Sequence, residues 1–254
     1  MVPVLTHLAN ALFWGPTAVD EGIERCKAIL ARAEGHRIVE ANVLCYLGGF
    51  SAMKGDFGEA RRLVAEGRNV FADLGHRYGL ASHAVVAGPV ELLAGDAAVA
   101  EELLRDGYTR LEEMGETGVQ STLSALLAEA IYQRGNYEEA ERQITVTEAI
   151  APDDDVASQV TLRATKARLM ARRGAYAAAE ELARDAVRRV LETDFLDMQG
   201  NALVALAEVL QLRGRLTESA DQLERALAAY EQKGNVVSAA RARSVLERGR
   251  VTTV

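Results

Sequence analysis

Glycines recur at positions 15, 55, 95, 135, 174 and 214, at intervals of 40, 40, 40, 39 and 40 residues. A fixed period over nearly the whole chain restricts the fold to a repeat architecture, in which each unit buries its apolar face against its neighbours. The local texts are GPTAVD, GDFGEA, GDAAVA, GNYEEA, GAYAAA and GRLTES. Five residues after the glycine stands a small side chain in five of the six units: Ala60, Ala100, Ala140, Ala179 and Ser219, with Asp20 as the exception. Seven residues before it stand Gly48, Gly88, Ala128, Ala167 and Ala207, with Leu8 as the exception. Small residues on both sides of a tight turn let two antiparallel helices approach closely.

A second set of glycines, Gly35, Gly75, Gly115 and Gly234, lies 20 residues after members of the first. Glycine just past a helix end can adopt the left-handed conformation that satisfies the last carbonyls. In the fourth unit the break is Ala-Pro-Asp at 151–153, and in the fifth it is Thr-Asp at 193–194. Each unit therefore reads helix, glycine turn, helix, loop. The side chains agree: Leu216, Ala220, Leu223, Ala226, Leu227 and Tyr230 form a helical stripe, and no segment alternates as a strand would. Four prolines in 254 residues leave room for long helices. We expect an all-α chain, a right-handed α-solenoid of about six antiparallel helix pairs. It would form a single repeat domain over 1–254, closed by a capping helix at about 235–249.

The segment ALLAEAIYQRGNYEEA at 125–140 resembles a tetratricopeptide repeat around its inter-helix turn. Ala128, Gly135, Tyr137 and Ala140 occupy that family's small, glycine, aromatic and alanine positions; Phe57 and Tyr176 match the aromatic in two other units, and Pro152 falls where the family often closes a repeat. The units are about six residues longer than the family period of about 34, and the early first-helix aromatic is absent. The phrases LFWGPTAVDEGIERC, VELLAGD, PDDDVASQVTLRATKARLMARRG, TDFLDMQGNALVALAEVLQLRGR and YEQKGNVVSAARAR resemble something narrower. They look like the C-terminal repeats of bacterial signalling proteins that carry a class III adenylate or guanylate cyclase domain, or a helix-turn-helix regulator, with an ATPase. The resemblance implies a non-enzymatic scaffold that binds a protein or peptide in a concave groove. Its alternative implication is the regulatory arm of such a cyclase or ATPase-linked regulator, present without its catalytic parts.

In this family the first helices of successive pairs line the concave side. Carried over, that face comprises Thr122, Ala125, Glu129, Tyr132 and Gln133 in the fourth unit, Thr161, Arg168 and Arg172 in the fifth, and Asn201, Glu208 and Gln211 in the sixth. The strip mixes Arg, Glu, Tyr and amides, which suits a polar peptide or protein surface better than lipid.

Other chemistry finds little support. A net charge of −8 argues against direct nucleic-acid binding. No GxxxxGK[ST] loop or GxSxG elbow occurs. His36 and His76 sit in matching Gly-His-Arg loops, which a solenoid displaces along its axis, so they would not converge on a metal. The run Asp153–Asp155 reads as capping for the next helix. We expect no catalysis, no cofactor and no metal. Cys26 and Cys45 fall within apolar helical patterns and read as buried free thiols of a reducing compartment, the cytoplasm. Residues 1–15 are apolar but hold no Lys or Arg, and the apolar stretch from Gly79 to Gly95 is interrupted by His83 and Glu91, so neither reads as a signal peptide or a membrane span. Gly88-Pro89 should kink or break its helix. Arg241, Arg243, Arg248 and Arg250 should give the final helix a polar outer face. Residue 1 falls inside the first helix of its unit, so we expect a shortened unit, as in a fragment of a larger protein, whose apolar end is open to self-association.

Overall fold

The computed structural model describes residues 2–251, and the helices follow the glycine punctuation. The pairs are α1 (Val2–Trp14) with α2 (Val19–Arg32), then α3 (Arg37–Met53) with α4 (Phe57–Asp73). The third unit has its first helix in two pieces, α5 (Arg77–Ser82) and α6 (Ala84–Ala94), followed by α7 (Ala97–Glu113). Next come α8 (Gly118–Gln133) with α9 (Tyr137–Ile150), α10 (Val156–Arg172) with α11 (Tyr176–Leu191), and α12 (Leu196–Leu212) with α13 (Leu216–Lys233). The last helix is α14 (Val236–Val251). No strand occurs among the described residues.

The turns explain the regularity. Gly55, Gly95, Gly135, Gly174 and Gly214 all lie at φ between 81° and 87°, where a side chain would be strained. At each, the following backbone N–H reaches back to close the helix, as Asp56 N does to Ser51 O at 3.0 Å and Arg215 N to Leu210 O at 2.9 Å. The next helix then starts on a side-chain cap in several units, with Asp56 accepting from Glu59 N and Asp96 from Val99 N. Asp155 does the same for Ser158 N, so the acidic run at 153–155 supplies a cap.

Close packing across each pair needs the small residues. A Cβ at Gly48 would stand 2.6 Å from Val64 Cγ2 and 2.8 Å from the Ala60 carbonyl oxygen. First helix packs on first helix along the array, α1 on α3, α3 on α6, α6 on α8, α8 on α10 and α10 on α12, giving an inner layer. The second helices form an outer layer, and the core lies between, around Phe50, Leu127 and Leu206. The break in the third unit falls at His83, upstream of Pro89: the proline has no N–H to give the carbonyl four residues back, and the helix bends in the preceding turns.

Ion pairs tie neighbouring units at a repeated place, the basic residue just before the turn glycine. Lys54 meets Asp20 at 2.7 Å, Arg134 meets Glu101 at 2.6 Å, Arg213 meets Glu180 at 2.5 Å, and Arg173 meets Glu141. Glu101 and Glu180 are buried. These two carboxylates are each an inter-unit contact of their repeat.

Candidate functional site

The inner layer curves around a lumen of about 290 Å3. Every first helix contributes to its wall, and so does α14. Its two sides differ. Units one to three present Phe13, Trp14, Met53, Val86, Pro89 and Leu93, all apolar. Units four to six present Glu129, Gln133, Thr161, Arg168, Asp197 and Asn201, set among apolar residues such as Leu126, Val160, Met198 and Val204. The polar side follows from helical geometry: Thr161, Thr165, Arg168 and Arg172 on α10, and Asp197, Asn201, Glu208 and Gln211 on α12, recur at helical intervals and share a face.

Apart from Asp197, the charged groups on that side are occupied with one another. Glu129 is paired with Arg168, and it accepts from Thr165 Oγ1 at 2.7 Å and Gln133 Nε2 at 2.8 Å. Burial works to raise the Glu129 carboxyl, but Arg168 and these hydrogen bonds outweigh it and hold it below the usual carboxylate range. The Arg168 guanidinium lies 4.3 Å over the Tyr132 ring. Arg172 donates from Nε to the Tyr132 hydroxyl at 2.7 Å and from its terminal nitrogen to Glu208 Oε1 at 2.7 Å. The Tyr132 hydroxyl in turn donates to Glu208 at 2.5 Å. Burial pushes this phenol up, helped by Glu208, so it stays a donor at neutral pH.

Asp197 is held by an amide rather than by a salt bridge. Asn235 Nδ2 donates to it at 2.6 Å, and desolvation raises its carboxyl against the pull of Asn235 and Lys233. The Tyr230 hydroxyl donates to Asn201 Oδ1 at 2.7 Å, so Asn201 is fixed in place.

The residues carried over from the family's concave face thus divide three ways. Glu129, Gln133, Thr161, Arg168 and Asn201 line the lumen. Arg172, Glu208 and Gln211 line an adjoining pocket of about 420 Å3 beside α12 and α14, which shares Val204, Leu223 and Val245 with the lumen. Thr122, Ala125 and Tyr132 line neither pocket: the Thr122 hydroxyl bonds Ser158 at 3.1 Å, Ala125 is fully buried in the core, contrary to its expected place on the concave face, and Tyr132 is buried beneath the two arginines. The polar strip makes up well under half of the wall. The rest is largely apolar, and α1, α3 and α6 turn hydrophobic side chains both to the core and to the lumen. The signal was present in α6, whose sequence AVVAGPVELLA carries one charge.

A correction concerns the last helix. Arg241 does not face outward; it donates to the carbonyls of Leu92 at 3.2 Å and Leu93 at 2.7 Å and lines the lumen. Arg243 pairs with Glu231 at 2.7 Å and Arg248 donates to Ser244 at 2.8 Å, while the side chain of Arg250 lies outside the described residues. The last helix is held inward because the superhelix returns to its start, bringing α14 against α3.

Among the described residues no group of three or more His, Cys, Asp or Glu stands together to hold a metal. His76 caps α5 by accepting from Gly79 N at 2.9 Å. No helix among the described residues is long and apolar enough to cross a membrane.

No family model matches the chain, and no curated protein matches its sequence. Among solved structures it is similar to a Rap protein complexed with Competence and Sporulation Factor, at a TM-score of 0.63 and 14% identity, covering 92% of this chain and 70% of that one. It also matches a crystal structure of Podosopora anserina putative kinesin light chain nearly identical TPR-like repeats, at a TM-score of 0.49 and 20% identity, covering 73% of this chain and 92% of that one. With helix pairs around an inner lumen and a solved neighbour over 92% of its length, the chain has the fold of a TPR-like α-solenoid.

Proposed function

We propose that this chain is a non-catalytic scaffold that takes a peptide segment of a protein partner into its lumen. The observation that carries the proposal is the two-sided wall. Apolar side chains of α1, α3 and α6 face Gln133, Thr161 and Asn201 across one cavity, which suits a chain segment with apolar side chains on one edge and backbone amides on the other. The paired charges of Glu129 and Arg168 shape the polar side and leave little net charge there, so recognition would rest on fit and neutral hydrogen bonds. The Rap protein of the same fold is itself complexed with a factor, which fits a scaffold whose work is binding. The partner-binding set is then Glu129, Gln133, Thr161, Arg168 and Asn201, with Arg172, Glu208 and Gln211 as an accessory pocket and Thr122 and Tyr132 as their support.

A second reading makes the chain the regulatory arm of a cytoplasmic, bacterial nucleotide cyclase or ATPase-linked regulator, and the sequence phrases quoted above favour it. Affinity purification from the source cells, with the wild type and Thr161→Trp as baits, tests the first reading. Thr161 is half-buried on the lumen wall, and an indole there would fill the cavity. A partner retained by the wild type and lost by Thr161→Trp is the expected result. A partner retained equally by both refutes binding in the lumen. Recovery of a cyclase or ATPase supports the regulatory arm. Recovery of the chain alone points to self-association through the N-terminal unit, where Val4 and Leu8 are exposed.

A further inference from the structure

The first turn of the array is unlike the others. At five turns the residue after the glycine gives its N–H to a carbonyl near the helix end, as Asp56, Asp96, Asn136, Ala175 and Arg215 do. At the first turn that residue is Pro16, which has no N–H. The last carbonyls of α1 are left without their usual backbone donor. Their donor arrives from the far end of the chain. Lys233 Nζ, at the end of α13, donates to Phe13 O and Gly15 O, both at 2.7 Å, and to Leu12 O at 3.3 Å. It is fully buried, with the Phe50 ring centroid 5.5 Å away. Arg241 on α14 repeats the device on α6, at Leu92 O and Leu93 O. In both cases a cation meets the negative end of a helix dipole.

Around these two cations the seam is thin. A Cβ at Gly234 would lie 3.4 Å from Val19 Cβ, and one at Gly55 would lie 3.6 Å from Val237 Cγ2, so the two ends touch there without interdigitating. Asn235 adds its bond to Asp197 within the last unit. Successive units share continuous apolar cores, whereas this seam rests chiefly on side-chain nitrogens meeting backbone carbonyls. A contact of that kind opens before a packed core does.

We propose that the end of α13 together with α14 is a strap that closes the superhelix onto its own first three units. Lys233 and Arg241 are its two fasteners, and its release opens the lumen. The strap is a property of the chain without any partner, so it stands apart from the binding proposed above. It also sets who can enter: Arg241, Ser238, Ala242 and Val245 of the strap are themselves lumen wall, so an occupant larger than the closed cavity needs the strap undone.

The full chain tests this with two readouts. Nitroxide labels at Glu24→Cys on α2 and Ala240→Cys on α14, both exposed positions, report the distance across the seam by pulsed electron resonance. The native thiols are buried and stay unlabelled. Trp14, the single tryptophan, lines the lumen, and its emission and acrylamide quenching report whether water enters. The expected result is one narrow distance in the otherwise wild-type chain, and a longer, broader distribution in Lys233→Met and in Arg241→Met. In both variants the Trp14 emission shifts red and its quenching rises, while helical circular dichroism is unchanged. A broad distance in the wild type overturns the strap outright. So does an unchanged distance and unchanged quenching in both variants. If Lys233→Met loses helix, Arg241→Met decides, since Arg241 is exposed and its removal leaves no buried charge.

Discussion

His83 should make this fold acid-sensitive. The side chain lies between the Phe71 ring, 4.9 Å away, and the Tyr46 ring, 5.8 Å away, and is 6% exposed. Its Nδ1 stands 3.0 Å from the Gly79 carbonyl, which can only accept, so Nδ1 carries the proton. Nε2 is then a bare acceptor, and among the described residues it is the buried side-chain polar atom without a partner. Protonating it would bury a charge with no acceptor. Desolvation accordingly drives the imidazole down from 6.5 to about 4, against the Gly79 hydrogen bond, with Arg68 and His76 lowering it further.

The sign follows from linkage. Between pH 6.5 and about 4 the unfolded chain binds a proton at this histidine and the folded chain does not, so stability falls as the pH falls through that window. At about 1.4 kcal/mol per pH unit, the loss attributable to His83 is about 3 kcal/mol, complete near pH 4. Urea denaturation of the wild type and of His83→Leu at steps from about pH 7 to about pH 4 measures it. The Gly79 carbonyl keeps its bond from the His83 backbone N–H at 3.2 Å, so His83→Leu orphans no acceptor and should be close to neutral at neutral pH. Its stability should then decline less on acidification than that of the wild type, by about 3 kcal/mol at about pH 4. Equal declines in the two proteins would refute a buried, neutral His83.

Two further outcomes can be checked on the same protein. Arg168→Met should cost about 3–5 kcal/mol in urea denaturation, because it leaves the largely buried Glu129 without its cation, and adding Glu129→Gln should recover much of that loss; additive losses in the double variant would contradict the pairing. Burial pushes the thiols of Cys26 and Cys45 up to about 11 and about 12, so a thiol reagent at neutral pH should label neither in the native protein and both in denaturant, and a fast native phase would contradict their burial.

The architecture is legible in the sequence because its punctuation has a local cause. Gly55, Gly95, Gly135, Gly174 and Gly214 recur since each must take a left-handed φ, and no other residue does so cheaply. The small residues at Gly48 and Gly88 are legible for the same reason: each marks a place where a Cβ would strike the facing helix. The site is less legible, because its contacts join helices far apart in the chain. Tyr132 has the spacing of a groove residue, yet its hydroxyl is spent on Glu208, 76 residues away. Arg241 has the look of a solvated arginine on a basic last helix, yet it caps α6 at carbonyls 149 and 148 residues back. One clue did lie in the chain itself: the first turn is the one where proline follows the glycine, so its helix end needed a donor from elsewhere.

That donor changes how the array should be thought of. In a linear solenoid each repeat contacts only its neighbours, and stability is a sum of local interfaces. Here the C-terminal carbonyls of α1 are satisfied by Lys233, 218 to 221 residues away, so the first and sixth units share one buried polar cluster. A lysine buried in this way carries a desolvation cost, and its ammonium is drawn down to about 8, against the pull of Asp197 and Asp194. The cost is tolerated because removing the lysine would orphan several buried carbonyls at once, and each unpaired buried polar group costs about 1–3 kcal/mol. Closure therefore rests on mutual need, the carbonyls for a donor and the ammonium for acceptors. The same cluster places Asp197 beside the lumen with Asn235 and Lys233 behind it. An occupant that contacts Asp197 would therefore meet a carboxyl that also acts on Lys233, the residue that closes the ring.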